Sequence, residues 1–591
     1  MKYDFTSIMD RHGKDATAVD GLGAMPGFTP DAPKLGFDAI PMWVADMNFP
    51  TVPTIQEAII ERAKHPAFGY FQPTSEYYQS IIRWHEKRNG VTGLTPECIG
   101  YENGVLGGVV SALTAFAAPG DPVLINSPTY IGFTMCVENN GYKIIHSPLK
   151  KDENGIWRMD FEDMEEKIKA NKIHVAIFCN PHNPCGRVWE RWEIEKAMEL
   201  FKKYDVMVIS DEIWSDIILN GHKHIPTQSV SEDARNRTAA FYAPSKTFNL
   251  AGLVGSYHII YNKYLRDRIV AKGSKAHYND MNVLCMHALI GAYKPEGYEW
   301  VDELCQVLSG NVNYACDYIE QHFEGVKVSK PQGTYMLFVD CNEWCEKHNK
   351  TIQEVEKMCW DVGVALQDGE MFHGHNCLRM NLALPLSRVQ EAFDRLDKYV
   401  FNRDPQMKEP ESTVLTEGST MEDFTYNTAF EQGLKLSDTV KKANKTAIVF
   451  LRYYGCTLCQ YDIQQFAANY EKIKANGGQI LVVLQSDPSV IGESMKKGDL
   501  PFDIICDPKA SLYIRFAVWP AESMAKMADE SSVEVMKKVQ DAGYKHGKYE
   551  GSELQLPALF IVDSERKVKY AHYGKTVTDI PNAETLVEMM K

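Results

Sequence analysis

APSKTFNLAG, residues 243–252, overlaps the end of TAAFYA (238–243), an apolar run that reads as a buried strand. The strand delivers Ser245 and Lys246 to the place where a sheet ends and a pocket begins. A lysine there does chemistry only if its ammonium can lose a proton near neutral pH, which burial and neighbouring charge arrange. Three more motifs stand upstream. HVAIF (174–178) is a second strand-like run, followed by CNPHNPCGR (179–187). Its two Asn-Pro pairs force a turn, because proline fixes its own backbone angle and restricts the residue before it. That turn presents Asn183 rigidly. VMVISDEIW (206–214) is a third strand-like run, ending in Asp211, and ligands of open α/β sheets collect beyond such carboxyl ends. YENGVLGGVVSAL (101–113) opens a helix after Gly104, whose first amides are free to bind an anion.

A glycine-led helix start, an Asn turn, a strand-end Asp and a Ser-Lys pair, in that order, resemble the pyridoxal-phosphate enzymes of the aspartate aminotransferase fold. The resemblance runs from about Asp20 to about Asn402. Finer detail is similar to one branch, the cystathionine β-lyase group of carbon–sulfur lyases that includes the maltose-regulon modulator. PMWVADMNF (41–49), HPAFGYFQP (65–73), CNPHNPCGRVW (179–189), SDEIWSDI (210–217), PSKTFNLAGL (244–253) and GTYMLFVD (333–340) carry that match. The fold it implies is α/β: a large cofactor domain on a mostly parallel sheet over 41–295, and an α+β small domain over 296–402 that closes on substrate together with an N-terminal arm, 1–40. The chain itself alternates apolar strands with amphipathic helices from Gly104 to about Ile290, as a sheet covered on both faces requires.

The resemblance also implies roles. Lys246 holds pyridoxal 5'-phosphate through its aldehyde and, once released, removes the substrate's α-proton. Asp211 keeps the pyridine nitrogen protonated, and Asn183 bonds the ring oxygen and borders the substrate. Tyr130, in NSPTYIGF, stacks on the ring. The amides of Gly104, Val105 and Leu106 bind the phosphate with the Ser245 hydroxyl. Tyr70 reaches the phosphate of a neighbouring subunit, so a homodimer with shared sites is expected. Arg379, in CLRMNLALP, grips the substrate carboxylate with two prongs, and Ala45 lines the same place. Two positions depart from the aminotransferase pattern: Trp214 stands where a Tyr is usual, and Val254 where an Arg is frequent. The implied reaction is release of a thiolate from the β-carbon of cystathionine or another cysteine S-conjugate, leaving pyruvate and ammonia. Amino transfer begins with the same proton abstraction and stands as the alternative, as does a non-catalytic role in binding a transcriptional regulator.

Composition fits a large enzyme of several domains. Of 591 residues 44% are apolar and 24% charged, enough for packed cores, and a net charge of -16 argues against nucleic-acid or membrane partners. The start MKYDFTSIMDRHGKD lacks an apolar stretch, and fourteen scattered cysteines suit a reducing cytoplasm. Cys179, His182 and Cys185 form an incomplete metal set in a proline-bound turn, so no metal is expected.

A polar segment rich in Pro, Glu, Ser and Thr, 403–430, reads as a linker. Beyond it, 431–591, KTAIVFLRYYGCTLCQYDIQQFAANYEKI reads as strand, Cys-x-x-Cys turn and helix, and LQLPALFIVDSERKVKYAHYG as a hairpin after a proline. This resembles the thioredoxin-like fold of peroxiredoxin-like redoxins. Cys456 and Cys459 take the redox position, and Pro557 matches the family's cis-proline. The Trp before a thioredoxin dithiol and the Thr before a peroxidatic cysteine are both missing. A thiol peroxidase or disulfide reductase and a pair of inert thiols therefore both stand. The stretch from Ala521 to Glu550 reads as a helical insertion without legible chemistry.

Overall fold

The computed structural model describes residues 1–25, 27–407 and 410–591. The chain divides into two compact units, one of residues 1–10, 41–359 and 365–402, the other of 11–40, 360–364 and 403–591.

In the first unit seven strands make one sheet: β1 (Ile99–Asn103), β2 (Pro122–Ser127), β3 (Lys143–Pro148), β4 (Val175–Cys179), β5 (Met207–Asp211), β6 (Thr238–Tyr242) and β7 (Gly255–Ile259). Their order is β1-β7-β6-β5-β4-β2-β3. Pairs from β3 across to β6 are parallel, and β7 is antiparallel to both neighbours. VAIFC and TAAFY are buried at every position, because helices cover both faces and no side is left for polar alternation. Registers Cys179↔Asp211 and Asp211↔Phe241 bring the carboxyl ends of β4, β5 and β6 level, where the Asn, Asp and Lys turns emerge. A small antiparallel sheet follows: β8 (Lys327–Val328), β9 (Met336–Asp340), β10 (Gln367–Asp368) and β11 (Cys377–Asn381), in the order β8-β9-β11-β10.

Helix α1 (Val105–Phe116) lies against β6 so closely that a Cβ on Gly108 would stand 2.4 Å from Phe241. One residue earlier, a Cβ on Gly107 would meet nothing nearer than 3.8 Å.

In the second unit five strands make one sheet: β12 (Lys445–Phe450), β13 (Gly478–Leu484), β14 (Asp503–Cys506), β15 (Ala558–Asp563) and β16 (Val568–Tyr573), in the order β14-β13-β12-β15-β16. The first three are parallel and the last two antiparallel. Strand alternation gives each face its own core. Ala447, Val449, Leu559 and Ile561 join one cluster; Ile448, Phe450, Phe560 and Val562 join the other.

Three sequence expectations change here. The segment 403–430 is not linker throughout: Leu415, Met421, Phe424 and Tyr426 are buried in the second core, and Thr425–Tyr426 pairs with Leu434–Lys435. Four large apolar residues spread through polar sequence suffice to seat a strap on a sheet, while the mean composition hides them; residues 408 and 409 lie outside the described residues. Residues 11–40, expected beside the small domain, cluster with the second unit, where Leu35 packs on its core and His12 stacks on Tyr549. Pro26 lies outside the described residues. Finally, the bond before Pro557 is not cis; among the described residues the cis bonds are Ser127–Pro128, Asn180–Pro181 and Asn183–Pro184. The Pro557 carbonyl instead takes an ordinary sheet-edge bond from the Gly574 amide, 2.8 Å. Among the described residues no helix is long and apolar enough to cross a membrane.

Gly108→Ala is expected to lose about 1–3 kcal/mol of stability through overpacking, and Gly107→Ala to be neutral or to gain up to about 1 kcal/mol from helix propensity. Urea unfolding of the two variants checks the contrast.

Candidate active site

Lys246 sits on α2 (Pro244–Thr247), a single turn begun by proline directly after β6. The turn is anchored from beneath. Thr247 Oγ1 donates to Asp216 at 2.9 Å, and the other oxygen of Asp216 accepts from Trp84 Nε1 at 3.0 Å, with Arg88 3.6 Å away. The half-buried lysine donates from Nζ to the Ala45 carbonyl at 3.0 Å and stands 5.9 Å from the Trp214 ring centre. Burial, and next the Arg379 guanidinium, bring its ammonium down to about 8, against the pull of Asp46 and Asp211.

Asp211, at the end of β5, is buried and accepts from the Ile213 amide at 3.0 Å. Burial pushes its carboxyl up to about 7; the adjacent Glu212 adds to this, while the Ile213 amide and Lys246 oppose it. Glu212 points into a network of its own. One oxygen takes His224 Nε2 at 2.8 Å and Tyr242 OH at 2.7 Å; the other takes Ser210 Oγ at 3.0 Å and the Thr227 amide at 3.1 Å. Burial disfavours its charge, but these donors, His224 foremost, hold it below the usual carboxylate range.

Arg379, on β11, is 3% exposed and donates from Nη1 to Gln367 Oε1 at 2.8 Å and the Trp43 carbonyl at 3.3 Å. Burial lowers its guanidinium to about 10. Tyr130 begins the helix Ile131–Asn139, edge-on to Phe133, and feels the charges of both Arg379 and Asp211. Asn183 is buried in the turn after β4. Gly104 caps α1 at φ +77, a left-handed angle that suits glycine, and frees the amides of Val105 and Leu106 at the helix start. The structure thus gathers Lys246, Asp211, Arg379, Tyr130 and Ala45, with Ser245 beside the lysine. Tyr70 is fully exposed between the helices Pro53–Ala63 and Ser75–Asn89 and joins none of them.

Arg379 Nε and Asn183 Oδ1 are among the buried side-chain atoms of the described residues that have no protein partner. Each such atom costs about 1–3 kcal/mol when left unmet, so both mark the space as built for a polar ligand. The donor set suits pyridoxal 5'-phosphate: an amine of lowered basicity, a buried carboxyl, a guanidinium and a helix start for a phosphate.

Sequence reasoning missed the clamps. Asn249 exchanges two bonds with Met47, Nδ2 to its carbonyl at 2.9 Å and Oδ1 from its amide at 3.1 Å. Asn381 Nδ2 holds the Val44 and Asp46 carbonyls at 2.9 and 2.7 Å. Together they fix the loop that offers Ala45 to Lys246. Asn249 stands inside the decisive decapeptide, but its partner lies 202 residues away.

Residues 39–396 match the family Aminotransferase class I and II, and residues 418–571 match the AhpC/TSA family. The chain is 34% identical over 396 residues to "Cystathionine beta-lyase PatB" of Bacillus subtilis, covering 66% of this chain and 98% of the relative. It is 30% identical over 397 residues to "Protein MalY" of Escherichia coli, covering 66% and 96%. The crystal structure of cystalysin from Treponema denticola, titled as containing a pyridoxal 5'-phosphate cofactor, superposes with a TM-score of 0.62 at 30% identity, over 67% of this chain and 98% of that one.

In the cofactor-free chain, reductive methylation of Lys246 is expected to rise with pH through about 8, well below an exposed lysine. Arg379→Met removes a repelling cation and moves that midpoint upward; peptide mapping across pH reads both, and an unchanged midpoint contradicts the electrostatic account.

Proposed function

The chain belongs to the aminotransferase class I and II family over residues 39–396, and on that premise we propose that its first unit is a pyridoxal-phosphate-dependent carbon–sulfur β-lyase. The observation that carries the proposal is Lys246, an amine of lowered basicity flanked by a buried carboxyl and by a guanidinium with a spare buried donor. Likeness to PatB and cystalysin supports the choice of lyase over other reactions of the family.

When bound, pyridoxal 5'-phosphate supplies an aldehyde that joins amines and a ring that draws electrons from the α-carbon. Lys246 would hold the aldehyde, yield it to the substrate amine, and use the freed Nζ as base for the α-proton. Asp211 would favour a proton on the ring nitrogen, and that neighbouring cation would draw its own carboxyl back to the ionised form. Asn183 would bond the ring oxygen, Tyr130 would cover a ring face, and the Gly104, Val105 and Leu106 amides with Ser245 would hold the phosphate. Arg379 would take the substrate carboxylate with Nη1 and its spare Nε, beside Ala45. A thiolate would then leave the β-carbon of cystathionine or another cysteine S-conjugate, and water would hydrolyse the remaining enamine, so that the products are thiol, pyruvate and ammonia. Two copies would share their sites, with the exposed Tyr70 of each reaching the other's phosphate; the fourteen free cysteines suit a cytoplasmic setting. For the second unit, the neighbouring Cys456 and Cys459 support a thiol–disulfide role.

The purified protein should be yellow, and L-cystathionine should yield pyruvate as that absorbance changes. Amino transfer to a 2-oxo acid without thiol release would identify an aminotransferase instead. Lys246→Ala abolishes both signals. Arg379→Lys, losing the two-pronged grip, should raise KM roughly 10- to 100-fold, or about 1.5–3 kcal/mol, in steady-state kinetics.

A further inference from the structure

Tyr335 stands just before β9 and is 0% exposed, yet its phenol oxygen meets no hydrogen-bond partner. Tyr242 and Tyr257, buried in the same unit, are both met: Tyr242 OH donates to Glu212 at 2.7 Å, and Tyr257 OH lies 3.0 Å from Tyr293 OH and 2.9 Å from His85 Nε2. A buried hydroxyl without a partner destabilises the fold that keeps it, so one that persists marks a place where a partner arrives with a ligand.

The surroundings of that phenol are those of the lysine. Its ring lies edge-on to Trp214 with centres 4.7 Å apart, and Lys246 Nζ stands 5.9 Å from the centre of the same indole. Burial pushes the phenol well above its ordinary value; the Asp46 carboxylate adds to this and the Arg379 guanidinium opposes it, so both charges reach the hydroxyl. It therefore keeps its proton at neutral pH and can donate to an anion. Arg379 Nε is a second donor without a partner in the same place.

The backbone that carries Tyr335 is held hard. Thr334, the residue before it, has φ +66, a left-handed angle that a β-branched residue rarely adopts. The Thr334 amide donates to the Ile217 carbonyl at 2.9 Å, and its Oγ1 accepts from the Met336 amide at 3.1 Å. The amides of Gln332 and Gly333 both donate to the Gly186 carbonyl, at 2.8 and 3.0 Å, and a Cβ on Gly333 would stand 2.8 Å from Val188. On the other side the Leu382 amide donates to the Tyr335 carbonyl at 2.8 Å, next to the clamp residue Asn381. The segment is thus bolted to the turn that carries Asn183, to the chain after Trp214 and to the end of β11. Strain persists where its surroundings over-determine it, and here it fixes the residue with the unpaired phenol.

Resting on the reading of this site as one for pyridoxal phosphate and an amino acid, we propose that Tyr335 is a further substrate-binding residue, whose hydroxyl donates to the α-carboxylate that Arg379 grips, so that one carboxylate meets both the phenol and the spare guanidinium nitrogen. A phenol kept for packing is missed by the fold when it is removed. A phenol kept for a ligand is missed by the ligand alone, and its removal relieves the fold.

The test compares wild type with Tyr335→Phe. The holoenzymes are titrated, by cofactor absorbance, with L-alanine, which has no leaving group on its β-carbon, and with ethylamine, the same molecule without its carboxylate. Tyr335→Phe should weaken L-alanine roughly 10- to 100-fold and ethylamine by less than about twofold. Without cofactor the variant should unfold on heating at the wild-type temperature or above it. L-alanine binding within about twofold of wild type overturns the proposal, as does an equal loss for both ligands or a lowered unfolding temperature, each of which leaves the phenol no selective hold on a carboxylate. The parent reading fails separately. A wild type that answers L-alanine but yields no pyruvate from L-cystathionine is not a lyase, and Tyr335 then stands as a carboxylate donor for another reaction of the family. A wild type whose absorbance answers neither ligand defeats both readings.

Discussion

Two cations and one acid share one space in the first unit, and everything around them follows from that. Lys246 and Arg379 repel each other, and burial penalises both. The site persists because each head group is tied down: Lys246 by the Ala45 carbonyl, Arg379 by Gln367 and the Trp43 carbonyl, Asp211 by the Ile213 amide. Burial first, and this repulsion next, bring the lysine's ammonium down to about 8. The shared sheet edge makes the crowding possible, because parallel strands β4, β5 and β6 end level and their turns converge.

The second unit handles charge with fewer groups. Arg452 Nη2 reaches Cys456 Sγ at 3.1 Å while Cys459 Sγ receives the Arg452 backbone amide at 3.4 Å, and the Gly547 amide ties the segment 544–553 to the turn at Gly455. Glu553 moderates the arrangement, holding Arg452 in place while opposing the thiolate that Arg452 favours.

Much of this was legible in the chain. The strand–turn motifs gave the α/β architecture and the placing of Lys246, Asp211 and Asn183 at strand ends and turns, because Pro, Gly and apolar runs signal them locally; Tyr130 and Arg379 came from the family resemblance alone, and Arg379 lies mid-strand on β11. What stayed hidden depends on distant pairing. Asn249 and Asn381 look like ordinary polar residues until the loop they clamp, Val44 to Met47, is brought in from the far end of the unit. The same holds for Asp216 beneath the lysine turn and for Glu553 on Arg452, about a hundred residues apart in sequence. The strap over 415–426 was missed because averaged polarity conceals four well-spaced apolar anchors. Tyr70 is fully exposed and stands apart from the residues gathered around Lys246.

The grip of Asn381 on the Val44 and Asp46 carbonyls has a consequence for the order of events in the cell. A ribosome that has just released Lys246 and Asp211 has not yet made Asn381 or Arg379. At about 5–20 residues per second the gap is roughly ten seconds. Throughout it the nascent lysine lacks both the guanidinium that lowers its basicity and the finished loop that holds its amine. Both the charge and the position of that amine are therefore completed only when residues 379–381 have joined the fold.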